Sequence, residues 1–382
     1  VHDDDAGWTL TAGTAFDPAV AVTGRQSSAV VGTAEFDAEL QSAFESASAR
    51  LDPATGSLVA AELVLGATGA GRVVLVVHHL GVDAVSWPIL IEDLVTAWGQ
   101  AVGGSLDPLR PEVTTARAWA GAVAEQAERR ADETDYWLRR LPQRATDLGV
   151  PAAADLGRID TEASVTEVVD ASVTEAVLTA VPEAFGGTAA DVLLGALARA
   201  VRGWQQARGI DDHTPVSLLT EGHGRSEEIV ASGPQPHASD LSRTVGWFTT
   251  IVPVALDPSI DIVHAVKAAK EERLAQPDAG VGFGLLRYGN PAPDTELSRR
   301  PLPSIGFNFF GAGRAGTADP TAAEAIPFTP AADAPGFAPS ASGRMPALNM
   351  LSVNVGTGTG ERGRQLSAGF SFPSTLFTAD DI

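Results

Sequence analysis

Apolar and polar positions along the chain alternate between two periods. Phe36–Leu51 and Ser86–Val102 repeat their apolar residues at helical spacing, whereas Leu58–Leu65 and Arg72–Val77 are short, continuous apolar runs of strand length. The valine-rich character of the latter predicts a strand covered on both faces. A helical stretch over Thr114–Leu141 carries Trp119, Tyr136 and Trp137 for packing. The second half repeats the alternation, with a strand at Ala163–Val169, helices at Ser172–Phe185 and Thr188–Arg208, and a strand at Pro215–Thr220. Further strands are predicted at Phe248–Leu256, Ser304–Phe310, Ala347–Val355 and Leu366–Phe372. Thr146–Gly157 has no clear period and predicts a linker, and Gly311–Arg344, rich in Ala, Gly and Pro, predicts an exposed loop. The expectation is an α/β protein of two lobes, 1–150 and 151–382.

Composition narrows this picture. A chain of 382 residues with 44% hydrophobic content can fill two cores. There is no uninterrupted apolar run of about 18 residues and no export signal pattern, so a cytoplasmic location is expected, with no membrane as partner. The absence of cysteine excludes disulfides, thiolate catalysis and thiolate metal sites within the chain. A net charge of -22 argues against nucleic acid as the main partner. The chain starts at Val1 and ends at Ile382, just after a TADD sequence resembling a helix start, and is expected to be a piece of something longer.

The chemistry concentrates in a few segments. In Val74–Trp87, VLVVHHLGVDAVSW, the apolar run ends in His78 and His79, followed by Asp83. Side chains alternate along a strand, so the two histidines face opposite sides and only one can address a given cavity. Ser86 before Pro88 marks a helix start, which places the histidines on a strand-to-helix turn. By itself such a pair is more often a hydrogen-bonded structural pair than a catalytic one, and a metal site lacks a third ligand. Thr220–Arg225, TEGHGR, puts Glu221 at a strand end and sets glycines on both sides of His223, as a sharp backbone turn close to something requires; a plain glycine-rich surface turn is the alternative. Asp240–Phe248, DLSRTVGWF, offers Trp247 and Phe248 as core or cavity-wall aromatics, and Arg243 as either an ion-pair partner or a contact to an acidic ligand. In Ser304–Gly311, SIGFNFFG, Asn308 is a polar residue inside an aromatic strand, suited to a structural hydrogen bond or a site role.

Taken in order, HHLGVDAVSW, DVLLGALARA from Asp191 to Ala200, EGHGR, SRTVGWFTTIVPV, GVGFGLLRYGN and IGFNFFG resemble the motifs of epimerization domains of nonribosomal peptide synthetases, within the condensation-domain superfamily. Six motifs in order across nearly the whole chain make the likeness specific. It implies two chloramphenicol acetyltransferase-like lobes in a V-shaped pseudo-dimer, an active site in a central tunnel, and a chain that begins after the fold's first strand and helix. The His-His-x-x-x-Asp signature is shared with peptide-bond-forming condensation domains, whereas EGHGR and RTVGWFT mark the epimerases. Carried over, His79 and Glu221 are the catalytic pair. His78, Asp83, Asn308 and Arg225 support them, and Trp87, His223, Trp247 and Phe309 line the tunnel or bind substrate. The implied reaction inverts Cα, from L to D, in an aminoacyl or peptidyl thioester. Amide-bond formation and a catalytically inactive docking domain are the alternatives. The substrate rides on the 4'-phosphopantetheine arm of a carrier protein, alongside neighbouring synthetase domains, and no metal or soluble cofactor is implied. Carrier proteins are typically acidic, so docking calls for a basic patch, for which Arg129, Arg130, Arg139 and Arg140 are available. Three positions depart from the family pattern: Ala84 stands where the family has glycine, Ser226 replaces an acidic residue and Phe309 replaces a tyrosine.

Overall fold

The structure is a computed structural model that describes residues 2–4, 7–9, 21–105, 107–142, 148–150, 158–210, 215–228, 239–257, 261–289, 295–311, 345–360 and 363–382. Its described residues form two compact units. One contains the chain up to Pro111 together with Arg243–Trp247, and the other contains Glu112–Ser242 and the stretch from Phe248 onward, including the C-terminus.

The first unit opens with a small antiparallel pair, β1 (His2–Asp4) and β2 (Gly7–Thr9). Its main body is a three-stranded sheet of β3 (Val22–Gln26), β4 (Val59–Leu65) and β5 (Gly71–Val77), with β4 in the centre, parallel to β3 and antiparallel to β5. Helix α1 (Ala34–Ala49) is capped by Thr33, whose hydroxyl accepts the Phe36 amide, and buries Phe36, Leu40, Ala43 and Ala47 on one stripe. That stripe packs on Val64 and Val74. The alternate positions Val59, Leu63 and Val73 are 36–39% exposed, so the expectation of a strand covered on both faces gives way to a sheet with one helix-covered face. Buried Glu62 bonds to Arg25 and Arg50. Burial opposes its charge, but these arginines and Ser46 outweigh burial and hold its carboxyl below the ordinary range. Helix α2 (Ser86–Gly103) ends at Gly104, whose φ of 75° closes the helix in the left-handed conformation.

The second unit is built on a six-stranded mixed sheet. Its strands are β6 (Glu162–Val168), β7 (Val216–Gly222), β8 (Thr250–Leu256), β9 (Ile305–Phe309), β10 (Leu351–Gly360) and β11 (Gly363–Pro373), in the order β6-β11-β10-β9-β7-β8. The pairs β10/β9 and β9/β7 are parallel and the rest antiparallel. Two helices, α7 (Ala189–Ala207) and α8 (Ile262–Ala275), cover one face, where Leu194, Ala198, Val201 and Ala269 meet Leu218, Val254, Ile305 and Val353. Gly195 makes the helix crossing possible, since a Cβ there would lie 2.8 Å from the Val266 backbone. Asp191 caps α7 with Thr188 and pairs with Arg273 of α8 at 2.7 Å.

Three expectations change in this unit. The stretch Thr114–Leu141 is not one helix but α3 (Ala116–Ala124), a 3-10 segment (Ala127–Glu133) and α4 (Thr134–Leu138). It belongs to the second unit rather than to a lobe ending at 150, because fully buried Trp137 packs with Phe283, Leu286, Leu297 and Val252. The helix at Ser172–Phe185 divides into α5 (Ala171–Leu178) and α6 (Ala180–Phe185), since Pro182 offers no amide to the Leu178 carbonyl and its ring would strike it. The two remaining helices are α9 (Val281–Tyr288) and α10 (Glu296–Arg299). The loop expected at Gly311–Arg344 lies almost wholly outside the described residues, as does most of the linker expected at Thr146–Gly157, although Leu148 is buried in the second unit's core. Among the described residues no single helix is long and apolar enough to cross a membrane.

Candidate active site

In the first unit β5 runs straight into the histidine pair. The His78 amide donates to the Leu58 carbonyl at 2.8 Å, which ends the ladder, and its Nδ1 accepts the Leu80 amide at 3.2 Å. An accepting Nδ1 carries no proton, so any ring proton of His78 sits on Nε2 and the side chain acts as a turn cap. His79 begins the short 3-10 turn His79–Gly81 and is exposed, with its ring centroid 5.0 Å from that of Trp247 at an interplanar angle of 57°.

Asp83 is 3% exposed and Ser86 is fully buried. Asp83 Oδ1 accepts both the Ser86 amide (2.8 Å) and the Ser86 hydroxyl (2.7 Å), so the carboxylate rather than Ser86 caps α2. The Ser86 oxygen in turn accepts the Gly246 amide at 3.1 Å, with the Gly246 carbonyl 3.0 Å away. Ala84 is exposed and has negative φ, since Asp278 and Ala279 are the non-glycine residues with positive φ among those described, so this turn accommodates its methyl group without backbone strain. Trp87 lies half-buried in the first turn of α2. Arg243 is 8% exposed and is an ion-pair partner: its guanidinium bonds to Asp93 and lies 3.3 Å from Glu92, both on α2. These carboxylates hold it fully charged.

In the second unit the EGHGR segment ends β7. Glu221 pairs across the sheet with Ile251 and its side chain is exposed. The two glycines are dictated by the close approach of Thr250 and Phe248. A Cβ on Gly222 would lie 2.8 Å from Thr250 Oγ1, and one on Gly224, where φ is 62°, would lie 1.7 Å from the Phe248 carbonyl oxygen. The sharp turn inferred from sequence is therefore pressed against the entry to β8. His223 is exposed and its Nδ1 accepts the Arg225 amide at 3.0 Å. The guanidinium of Arg225 lies 4.2 Å from the Phe248 ring centroid and donates to the Leu241 carbonyl at 3.1 Å, so this arginine braces the turn. Asn308 sits on β9 opposite Asn354. Leu219 is in register with Gly306 and Thr220 with Phe307, so Glu221 and Asn308 share the sheet face opposite the one that buries Leu218 and Phe307. Phe309 packs against the core cluster of this unit, on the face that buries Phe307 and opposite the one shared by Glu221 and Asn308, rather than on the face where a tunnel-lining role beside Glu221 would place it.

The four candidate docking arginines separate into two kinds. Arg130 is 6% exposed and pairs with Glu133 and Asp278, each at 2.7 Å, and Arg140 bonds to Glu272 while its guanidinium lies 3.4 Å from the Tyr136 ring centroid. Burial, reinforced by Glu272, pushes the Tyr136 hydroxyl up to about 12, so it stays protonated there. Arg129 and Arg139 are exposed. No group of three or more metal-ligating side chains occurs among the described residues.

One pair of residues gives no sign of its role in the sequence. Ser86 reads there only as a helix start and Gly246 only as a member of the RTVGWFT motif, because a bond across 160 positions leaves no local pattern.

A family model described as "Condensation domain" matches residues 28–324. The chain is similar to chondramide synthase from Chondromyces crocatus, at 36% identity over 287 residues, and to a linear gramicidin synthase from Brevibacillus parabrevis, at 34% over 306 residues. These alignments cover 73% and 78% of this chain but 7% and 6% of the relatives, so the chain spans a small fraction of their length. Among solved structures it is similar to the epimerization domain from the third module of tyrocidine synthetase B, with TM-score 0.69, 22% identity and coverage of 94% of this chain and 76% of that one. A condensation domain for chain release from the enacyloxin polyketide synthase matches with TM-score 0.62 at 19% identity, covering 100% and 68% respectively. These likenesses bear out the mixed α/β, chloramphenicol acetyltransferase-like fold class.

Proposed function

Because the chain belongs to the condensation-domain family, we propose that it is the epimerizing member of a nonribosomal peptide assembly line, inverting the Cα centre of an aminoacyl or peptidyl thioester. The substrate is carried on the 4'-phosphopantetheine arm of a carrier protein, the reaction takes place in the cytoplasm, and the domain uses no cofactor of its own.

The chemistry needs a group that takes the Cα proton and a group that returns one to the opposite face. An imidazole and a carboxylate can each do either, and His79 and Glu221 are assigned these two roles. The intervening thioester enolate carries negative charge on oxygen and is stabilised by hydrogen-bond donors. Asn308, on the same sheet face as Glu221, is the side-chain amide assigned to that task. The observation that carries the reading is Glu221 itself. It is an acid for which amide formation has no evident use, placed open to solvent at the end of β7 on a backbone that two glycines lock against β8.

Amide-bond formation is the second reading, favoured by the exposed His79 within a signature common to both chemistries. The two are separated by loading a carrier with an L-peptidyl thioester, offering a second loaded aminoacyl carrier, and analysing the products for chirality. Formation of the D-configured thioester, lost in Glu221→Gln, supports epimerization. Dipeptide formation with retained L configuration and indifference to Glu221→Gln overturns it.

A further inference from the structure

Arg243–Trp247 is held to α2 at two points. Ser86 bonds to Gly246, and Glu92 and Asp93 bind Arg243. Ser86 and Asp93 are seven residues apart, two helical turns or about 10.5 Å along one face of the helix. The segment from Arg243 to Gly246, which turns at Arg243 and bends at Gly246, is therefore pinned to one face of α2 at both ends. Trp247 follows immediately, and its indole is the ring that meets His79. The hydroxyl of Ser86 is placed to close this arrangement. Its single proton goes to the nearer oxygen, that of Asp83 at 2.7 Å, and its lone pair takes the Gly246 amide. One buried hydroxyl thus joins the turn that carries His79 to the strap that carries Trp247.

We propose that Trp247 and Ser86 are positioning residues for His79: Ser86 fixes the strap against the histidine turn, and the strap sets the indole against which the imidazole is oriented. The inference rests on the reading of His79 as the group that transfers a proton. It assigns Trp247 a different task from a substrate-contacting wall, and the two tasks separate kinetically. A wall residue contributes to binding, whereas an orienting residue acts on the chemical step.

The test compares Trp247→Leu, Trp247→Phe and Ser86→Ala in steady-state epimerization of a loaded carrier, with thermal melting as a fold control. Trp247 is 49% exposed, so its variants fold even if buried Ser86→Ala does not. Misplacement of a catalytic group by about 1 Å costs up to roughly 100-fold. The expected result is a fall in kcat of about 30-fold for Trp247→Leu and about 10-fold for Ser86→Ala, with KM within about twofold and most of the loss recovered in Trp247→Phe. A rise in KM that accounts for most of the Trp247→Leu loss, or full activity in that variant, overturns the proposal. If the wild-type chain makes amide bonds instead of epimerizing, the same variants are read on amide formation with the same criteria. If it does neither, the His79 ring-proton shifts decide by NMR: movement in Ser86→Ala toward the Trp247→Leu values supports the linkage, and unchanged shifts overturn it.

Discussion

Gly224 is the residue at which the candidate site tolerates least change. Its φ of 62° and the 1.7 Å gap between an added methyl group and the Phe248 carbonyl mean that Gly224→Ala must displace either the EGHGR turn or the start of β8. The left-handed conformation alone costs an alanine roughly 1–2 kcal/mol, and the steric conflict adds to it, so a loss of at least about 2 kcal/mol in urea denaturation is expected, with loss of activity through Glu221. Gly99 is the matched control. It lies in the interior of α2 with nothing within 4 Å of its added Cβ, and Gly99→Ala is expected to stabilise the protein by up to about 1 kcal/mol. Equal destabilisation by both substitutions would contradict this account of the turn.

At the scale of elements, α7 and α8 show how a local motif and a distant partner combine. Burial opposes the charge of Asp191, but the hydrogen bonds from Arg273 and Thr188 outweigh it and keep the carboxyl below its ordinary range. A depressed folded-state value means that the stabilisation is present above the unfolded pKa of about 3.9 and is lost as pH falls through the lower folded value. The melting temperature is therefore expected to fall from about pH 5 downward, and Asp191→Asn to flatten that fall. The variant is expected to cost about 1–2 kcal/mol at pH 7, less than a fully buried pair because Arg273 is 41% exposed. An unchanged acid profile in the variant would contradict the assignment.

The same helices mark what is legible in the chain. The amphipathic α7, with Thr188 and Asp191 as its capping box, reads from sequence within a residue of its observed ends, as do β5 and α2. Helix α8, IVHAVKAAKEERLA, is hidden because its small alanines meet α7 through close approach at Gly195 and leave only a weak apolar stripe. Strand β3 is hidden because VTGRQ carries almost no hydrophobic signal and is held by pairing with β4. At the site, the motif residues stand out in the sequence, including the turn that needs Gly224. The Ser86–Gly246 bond does not, since only the folded backbone brings those positions together.

For the molecule as a whole, the net charge of -22 sets the terms on which the proposed carrier, if acidic like its kind, approaches. With Arg130 and Arg140 occupied by internal carboxylates, Arg129 and Arg139 are left to provide local attraction. Replacing both with glutamate is expected to raise KM for the loaded carrier several-fold at low salt with little change in kcat, and the difference should shrink as ionic strength approaches 1 M, where the Debye length is about 3 Å. A KM insensitive to the double substitution at low salt would place docking elsewhere. The central claim is that His79 and Glu221 exchange the Cα proton of a carrier-bound thioester. Incubating an L-peptidyl carrier with the chain in deuterated buffer and following mass at Cα tests this most directly. Deuterium entering Cα with the wild-type chain, and falling by at least about 100-fold in both His79→Ala and Glu221→Gln, is the predicted result. A Cα that keeps its proton, or exchange that persists in Glu221→Gln, would contradict it.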